Sequence, residues 1–198
     1  MSAEAIRMTT QAMRARLEAA LVDAGGGTVF VGPLDDPNAK GASLILFLYR
    51  IAANPSLRNH EHVVVSATPP PEVIVYRTAL PLCLHYLVTI GSREDVADED
   101  PLLSVLGYAM QALNDDTKLT GVKVGNETVE VSFDPLSTEE MSRVWTLFPT
   151  ANYRTSVAYV ATPVWIDPKL PPVGAGRVLA QRLGAGVRAA DNPEAADA

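Results

Sequence analysis

Cysteine is almost absent: Cys83 is the only one in 198 residues. No intramolecular disulfide can form, and a four-thiolate zinc site is excluded. Such a chain is compatible with folding in a reducing cytoplasm. Long apolar runs are also missing. The most continuous, Leu44 to Tyr49, stops at Arg50, well short of the roughly 18 residues that mark a membrane span. The opening residues MSAEAIRMTTQ place Glu4 and Arg7 where a secretory leader needs an apolar block. Cytoplasmic synthesis and folding, with no direct membrane insertion, is the expectation. Positive charge is scarce as well. At a net charge of -7 the chain is poorly suited to nucleic acid, because phosphate contacts need clustered Lys and Arg. The patterns G-x-S-x-G, H-E-x-x-H and the dinucleotide-binding glycine fingerprint do not occur, and no internal repeat is visible.

What is present is an ordinary globular composition, 47% hydrophobic and 20% charged, at a length that suits one domain. The most informative stretch is LPLCLHYLVTI, Leu80 to Ile90. Leu80, Leu82, Leu84, Tyr86, Val88 and Ile90 alternate with Pro81, Cys83, His85, Leu87 and Thr89. A period of two puts the first set on one face of a strand long enough to collect the other elements on its apolar side. Ser43 to Ile51 is nearly continuous apolar sequence and reads as a strand buried on both faces, with Arg50 emerging at its end. Short strands are expected at Thr28 to Val31, Val63 to Val65 and Val73 to Tyr76. The last two are separated by Thr68-Pro69-Pro70-Pro71, an extended connector that excludes helix. Val129, Val131 and Phe133 alternate with polar residues as a half-exposed strand, and Gly125-Asn126 suggests a hairpin turn from Val122 to Val124. Ser156 to Ile166 is a final long strand, where Pro163 requires an edge free of ladder bonds.

Helical spacing of Ile6, Met13, Leu17, Ala20, Leu21 and Ala24 predicts a first helix, stopped by Gly25-Gly26-Gly27. Asp100-Pro101 reads as an N-cap with proline at the first helical position, and Leu102, Leu103, Leu106, Met110 and Leu113 as that helix's apolar face. Ser137 and Glu140 have capping-box spacing, and Leu136 with Met141 the spacing of a hydrophobic staple. Met141, Val144, Trp145 and Phe148 then form a third apolar face, limited by Pro149. The fold class is therefore α/β (α+β): one domain over residues 1–170, a mixed twisted sheet with about three flanking helices. Residues 171–198, rich in Pro, Gly and Ala, read as a flexible C-terminal tail ending in AADNPEAADA.

Candidate chemistry is thin. Gly25-Gly26-Gly27 follows a helix and precedes a strand, the reverse of a phosphate loop, and reads as a turn. His60 and His62 flank Glu61 in an expected loop, with no helical His pair and no nearby thiolate, and read as solvated. Cys83 and His85 are two apart on one strand, about 7 Å by the rise per residue. A buried thiol and a hydrogen-bonded core histidine account for them better than a nucleophile and its base. Two charged segments remain. Arg93 to Asp100 (REDVADED) is largely explained by capping and solvation. Val173 to Arg188 carries Arg177, Arg182 and Arg188 without a carboxylate.

Five segments, in order, resemble one known family. LILFLYRIAANPSLRN, from Leu44, resembles its strand and "NP-x-LRN" block. LPLCLHYLVTI and PLLSVLGYAMQALND, from Leu80 and Pro101, resemble the next strand and helix; LSTEEMSRVWTLF and YRTSVAYVATPVWID resemble its last helix and strand. The family is the cap, or tail-terminator, proteins of phage-tail-like extracellular contractile injection systems, of the antifeeding-prophage and virulence-cassette type. Cys83 stands where an acidic or polar residue is expected. The resemblance implies a structural protein, not an enzyme, with no cofactor and a fold like the terminators of contractile phage tails. It implies a hexameric ring on the baseplate-distal end, bound to inner tube and sheath proteins, assembled in the cytoplasm and then part of a released or cell-associated particle. Arg93, Glu94, Asp95, Asp98, Arg177, Arg182 and Arg188 are the candidate assembly contacts. The alternatives are another ring or adaptor of the same particle, or a small cytosolic enzyme or ligand-binding domain using His85 and Cys83.

Overall fold

The computed structural model describes residues 3–65, 72–91, 100–169 and 173–175. Helix α1 (Ala5–Asp23) is followed by strands β1 (Val29–Val31), β2 (Leu44–Ala53), β3 (His62–Val65), β4 (Val73–Tyr76) and β5 (Leu80–Ile90). Helix α2 (Asp100–Asp115), strands β6 (Lys118–Gly121) and β7 (Glu127–Phe133), helix α3 (Thr138–Trp145), and strands β8 (Ser156–Ile166) and β9 (Val173–Ala175) follow. The two long strands expected from the sequence, β5 and β8, pair antiparallel at the centre of a six-stranded sheet ordered β1-β2-β5-β8-β7-β6. Among the described residues only β1 and β2 pair in parallel. β3, β4 and β9 form a separate antiparallel sheet.

Alternation along the central strands sets the layers, because successive side chains leave on opposite faces. Leu44 and Leu46 of β2, with Leu82, Leu84, Tyr86, Val88 and Ile90 of β5, enter one buried cluster with Met13, Leu17 and Leu21 of α1 and Leu102, Leu106 and Leu113 of α2. The intervening Ile45 and Leu87 enter a second cluster with Leu34, Ala158, Trp145 and Phe148. The sheet is thus covered by α1 and α2 on one face and by α3 with the β1–β2 connection on the other. This explains why the first half of β2 is buried on both sides. Leu80 departs from its expected face: at the strand's outer end it is 47% exposed. Leu103 is likewise exposed, because the inward stripe of α2 runs Leu102, Val105, Leu106, Ala109, Leu113 and leaves Leu103 a step around the helix.

Local sequence sets the ends of the elements. α1 stops as Gly25 and Gly26 take positive φ and the Gly26 N–H donates to the Leu21 carbonyl at 2.7 Å. At α3 the capping box is complete: the Glu140 N–H donates to Ser137 Oγ at 3.2 Å, and the Ser137 N–H donates to Glu140 Oε2 at 2.9 Å. These bonds, the Ser137 backbone first, hold the Glu140 carboxyl below its ordinary pKa. Pro163 sits where neither neighbouring ladder needs its missing N–H. The β7 register ends at Thr162, and the β5 register shifts between Leu82↔Val164 and Leu84↔Ala161.

The expected hairpin is displaced. β6 lies earlier, and Val122–Val124 is a single 3-10 turn whose Val124 is buried in the α1-side cluster. Arg16 of α1 clamps this corner, donating from Nη2 to Asp116 Oδ2 at 2.6 Å and to the Lys118 carbonyl at 2.8 Å. β9, at Val173–Ala175, pairs with β4, a strand the sequence pattern did not announce.

Candidate functional site

The charged candidates lie outside the described residues: Arg93, Glu94, Asp95 and Asp98 between β5 and α2, and Arg177, Arg182 and Arg188 beyond β9. The triple proline between β3 and β4 also lies outside them.

The histidines have separate surroundings. His60 is exposed, but His62 is not the solvated loop residue its neighbours suggest. It opens β3, is 4% exposed, and stacks on Trp165 with ring centroids 4.7 Å apart. Its Nδ1 meets Asp167 Oδ1 at 2.7 Å. Glu127 Oε1 is 3.1 Å from Nε2, yet Nε2 has no aligned hydrogen bond, so Asp167 is the directional partner. Because the two carboxylates approach opposite ring nitrogens, the trio does not converge on a point where an ion could sit. His85, on the α3 side of the sheet, meets Asp134 Oδ2 at 2.7 Å, and Tyr49 donates to the same oxygen at 3.2 Å. Burial first, and Asp134 second, push the Tyr49 phenol far above its ordinary pKa. It stays a neutral donor. Cys83 has a different partner, the Thr162 hydroxyl at 3.4 Å. Cys83 and His85 are therefore not brought together as nucleophile and base. Among the described residues no group of three or more His, Cys, Asp or Glu is arranged to hold a metal.

The surface offers edges and apolar patches. β1 and β6 flank the large sheet, and β3 and β9 flank the small one. Beside α3, Leu136, Met141, Trp145 and Tyr153 line an open groove of about 600 Å³. Trp145 Nε1 is buried there without a hydrogen-bond partner, and Tyr153 is 64% exposed. The apolar face of α3 was legible from spacing, but its meeting with Tyr153 was not, since that residue arrives from the loop before β8.

This geometry defines an α/β scaffold whose outstanding surface features are strand ends, sheet edges and apolar faces. The chain belongs to the family described as the Pvc16 N-terminal domain, which it matches over residues 8–180. Its fold is shared with an extracellular contractile injection system component, the PVC sheath/tube terminator in its extended state (TM-score 0.57, 18% identity). It is also shared with the tube-terminating cap of the anti-feeding prophage (TM-score 0.55, 17% identity). Each likeness covers 93% of this chain and, respectively, 64% and 61% of the other. The chain thus spans under two thirds of the length of those structures. No curated protein sequence matches it significantly.

Proposed function

We propose that this chain is a structural cap, or tail terminator, at the baseplate-distal end of a contractile injection particle. In this reading it forms a hexameric ring that ends tube and sheath polymerisation and anchors the sheath to the tube. It assembles in the cytoplasm before becoming part of the released or cell-associated particle, and it performs no catalysis. The observation that carries the reading is membership of the Pvc16 N-terminal domain family over residues 8–180. The fold likeness to two terminators supports it.

The physical logic is that of a stop on an open polymer. Tubes and sheaths grow by head-to-tail contacts that do not close along the axis, so growth ends when a subunit offers one complementary face and withholds the next. Sheet edges such as β6 suit strand addition by a partner's terminus. Arg93, Glu94, Asp95, Asp98, Arg177, Arg182 and Arg188 are proposed as contacts with tube or sheath. Electron microscopy of particles from cells lacking this chain tests the function. Tubes of uncontrolled length and detached sheaths are expected; normal particles of uniform length overturn the reading. A tag on the chain seen at the baseplate end assigns it instead to another ring or adaptor.

A further inference from the structure

The outer edge of β6 is not open along its whole length. The Val131 N–H donates to the Thr117 carbonyl at 2.6 Å, and Leu119 pairs with Val129, so Thr117 and Leu119 turn their backbone groups toward β7. Alternation then turns those of Lys118 and Thr120 away from the sheet. At Lys118 both groups are taken. Its N–H donates to Asp116 Oδ1 at 3.2 Å, and its carbonyl accepts from Arg16 Nη2 at 2.8 Å. The same guanidinium donates to Asp116 Oδ2 at 2.6 Å and to the Asp116 carbonyl. Arg16 thus reaches from α1 to the place where the N–H groups of a further strand would stand. Exposed Thr120 has no backbone partner on this side among the described residues. Space for a strand is present: Ala12, Ala15 and Ala19 of α1, with Thr120 and Val122, line an open furrow of about 520 Å³. Val122 is 80% exposed.

We propose that the Arg16–Asp116 pair is a gate that withholds the β6 edge, and that the strand it excludes is β6 of a second copy. An antiparallel pairing centred on Leu119 sets Lys118 of each copy opposite Thr120 of the other. Residues paired in this way exchange both backbone hydrogen bonds, and no lysine faces a lysine. The same pairing brings Lys123, just past one end of β6, to the end of the other copy's β6 that carries Asp115 and Asp116. Lys123 and Asp115 are exposed and enter no ion pair among the described residues, so charge as well as backbone favours this partner. With the guanidinium in place, the Lys118 carbonyl is already satisfied and the Arg16 side chain fills the approach. An edge that would otherwise template a neighbour is held shut by one residue of the adjacent helix. The inference does not rest on the cap reading; within that reading, a partner's terminus reaches β6 only after Arg16 has moved aside.

Sedimentation and amide exchange of the full-length chain test it. Wild type is expected to exchange the Thr120 amide freely at every concentration. Arg16→Ala is expected to double its mass relative to wild type as concentration rises, with Thr120 exchange slowed about tenfold over the same range. Asp116→Ala, at a side chain 65% exposed, loosens the gate from its outer side without touching the core, and the same two changes are expected. Arg14→Ala, on the same helix but paired with Glu18, is expected to behave as wild type. A Thr120 amide already protected in wild type overturns the proposal, as do unchanged mass and exchange in both gate variants. A doubled mass with Thr120 still unprotected overturns it too, since the copies then meet elsewhere, and so does association of Arg14→Ala. No readout involves particles, so failure here leaves the cap reading intact.

Discussion

His62 and Trp165 lie flat against each other, their ring planes 10° apart, and this stack joins the small sheet to the end of the longest strand pair. Asp167, two residues beyond Trp165, completes the joint by meeting the imidazole at 2.7 Å. Replacing His62 with Ala removes the ring and leaves Asp167 and Glu127 without it. A loss of about 2–3 kcal/mol is expected, the scale of a hydrogen bond to a charged group plus lost packing. Urea unfolding measures it. A loss below half a kcal/mol, roughly the scatter for surface substitutions, would show that the two sheets hold together without this side chain.

Tyr86 gives the fold an alkaline limit. It is fully buried, and burial pushes its phenol up to about 12. Thr10 Oγ1 is 2.8 Å from both the Ile6 carbonyl and the Tyr86 hydroxyl. Since Thr10 has one proton and directs it to Ile6, the phenol is the donor. A folded pKa above the ordinary value means that the native state holds this proton longer than the unfolded chain. The contribution is therefore complete below about pH 10 and is lost as pH rises toward 12. Thermal unfolding between pH 9 and 12 is expected to show a falling Tm. Tyr86→Phe is expected to fall less steeply, at a cost of about 1 kcal/mol at neutral pH. Equal slopes for the two proteins would place the alkaline sensitivity elsewhere.

Ser137→Ala is expected to cost about 1 kcal/mol, the usual value of a helix N-cap. Ala removes the Oγ that accepts from the Glu140 N–H and donates to the Glu140 carboxylate, while the backbone N–H of residue 137 can still donate to that carboxylate. Because α3 has only eight residues, fraying at its start should reach Trp145. The Trp145 emission maximum is therefore expected to move to the red in this variant, and an unmoved maximum would show that α3 is held by its packing alone.

Gly91→Ala is expected to be the most damaging single substitution of these. The Gly91 N–H donates to the Ser43 carbonyl at 2.9 Å, so the two backbones are in direct contact, and a methyl group would overlap the Ala42 carbonyl oxygen. The obstruction is main chain, which cannot rotate away. Loss of soluble protein, or destabilisation beyond about 3 kcal/mol, is the expected result. Wild-type stability would mean that the β2–β5 junction relaxes freely.

What the sequence disclosed was whatever depends on near neighbours. Alternation identified β5 to its ends, the expected final strand Ser156–Ile166 matches β8, and the Ser137–Glu140 spacing located the start of α3. The family resemblance was carried by these blocks together with those that begin at Leu44 and Pro101. His62 was misread as solvated because the residues before it, Asn59, His60 and Glu61, are polar, while Asp167 lies 105 residues away. Arg16 and Asp116, 100 residues apart, were equally invisible as a pair. β9 escaped notice because Val-Gly-Ala has no pattern of its own and is a strand only by virtue of β4. The groove beside α3 required knowing that Tyr153 returns to Trp145, ring centroids 5.3 Å apart.

The strand order has a consequence for how the subunit is made. Among the six strands of the large sheet β8 is the last to leave the ribosome, yet it lies between β5 and β7. Until Ile166 has been synthesised, the nascent chain carries two half-sheets with raw interior edges and no means of joining them. Completion of the large sheet is thus deferred until its final strand has been made, and a growing polypeptide cannot present that sheet intact to a neighbour before then.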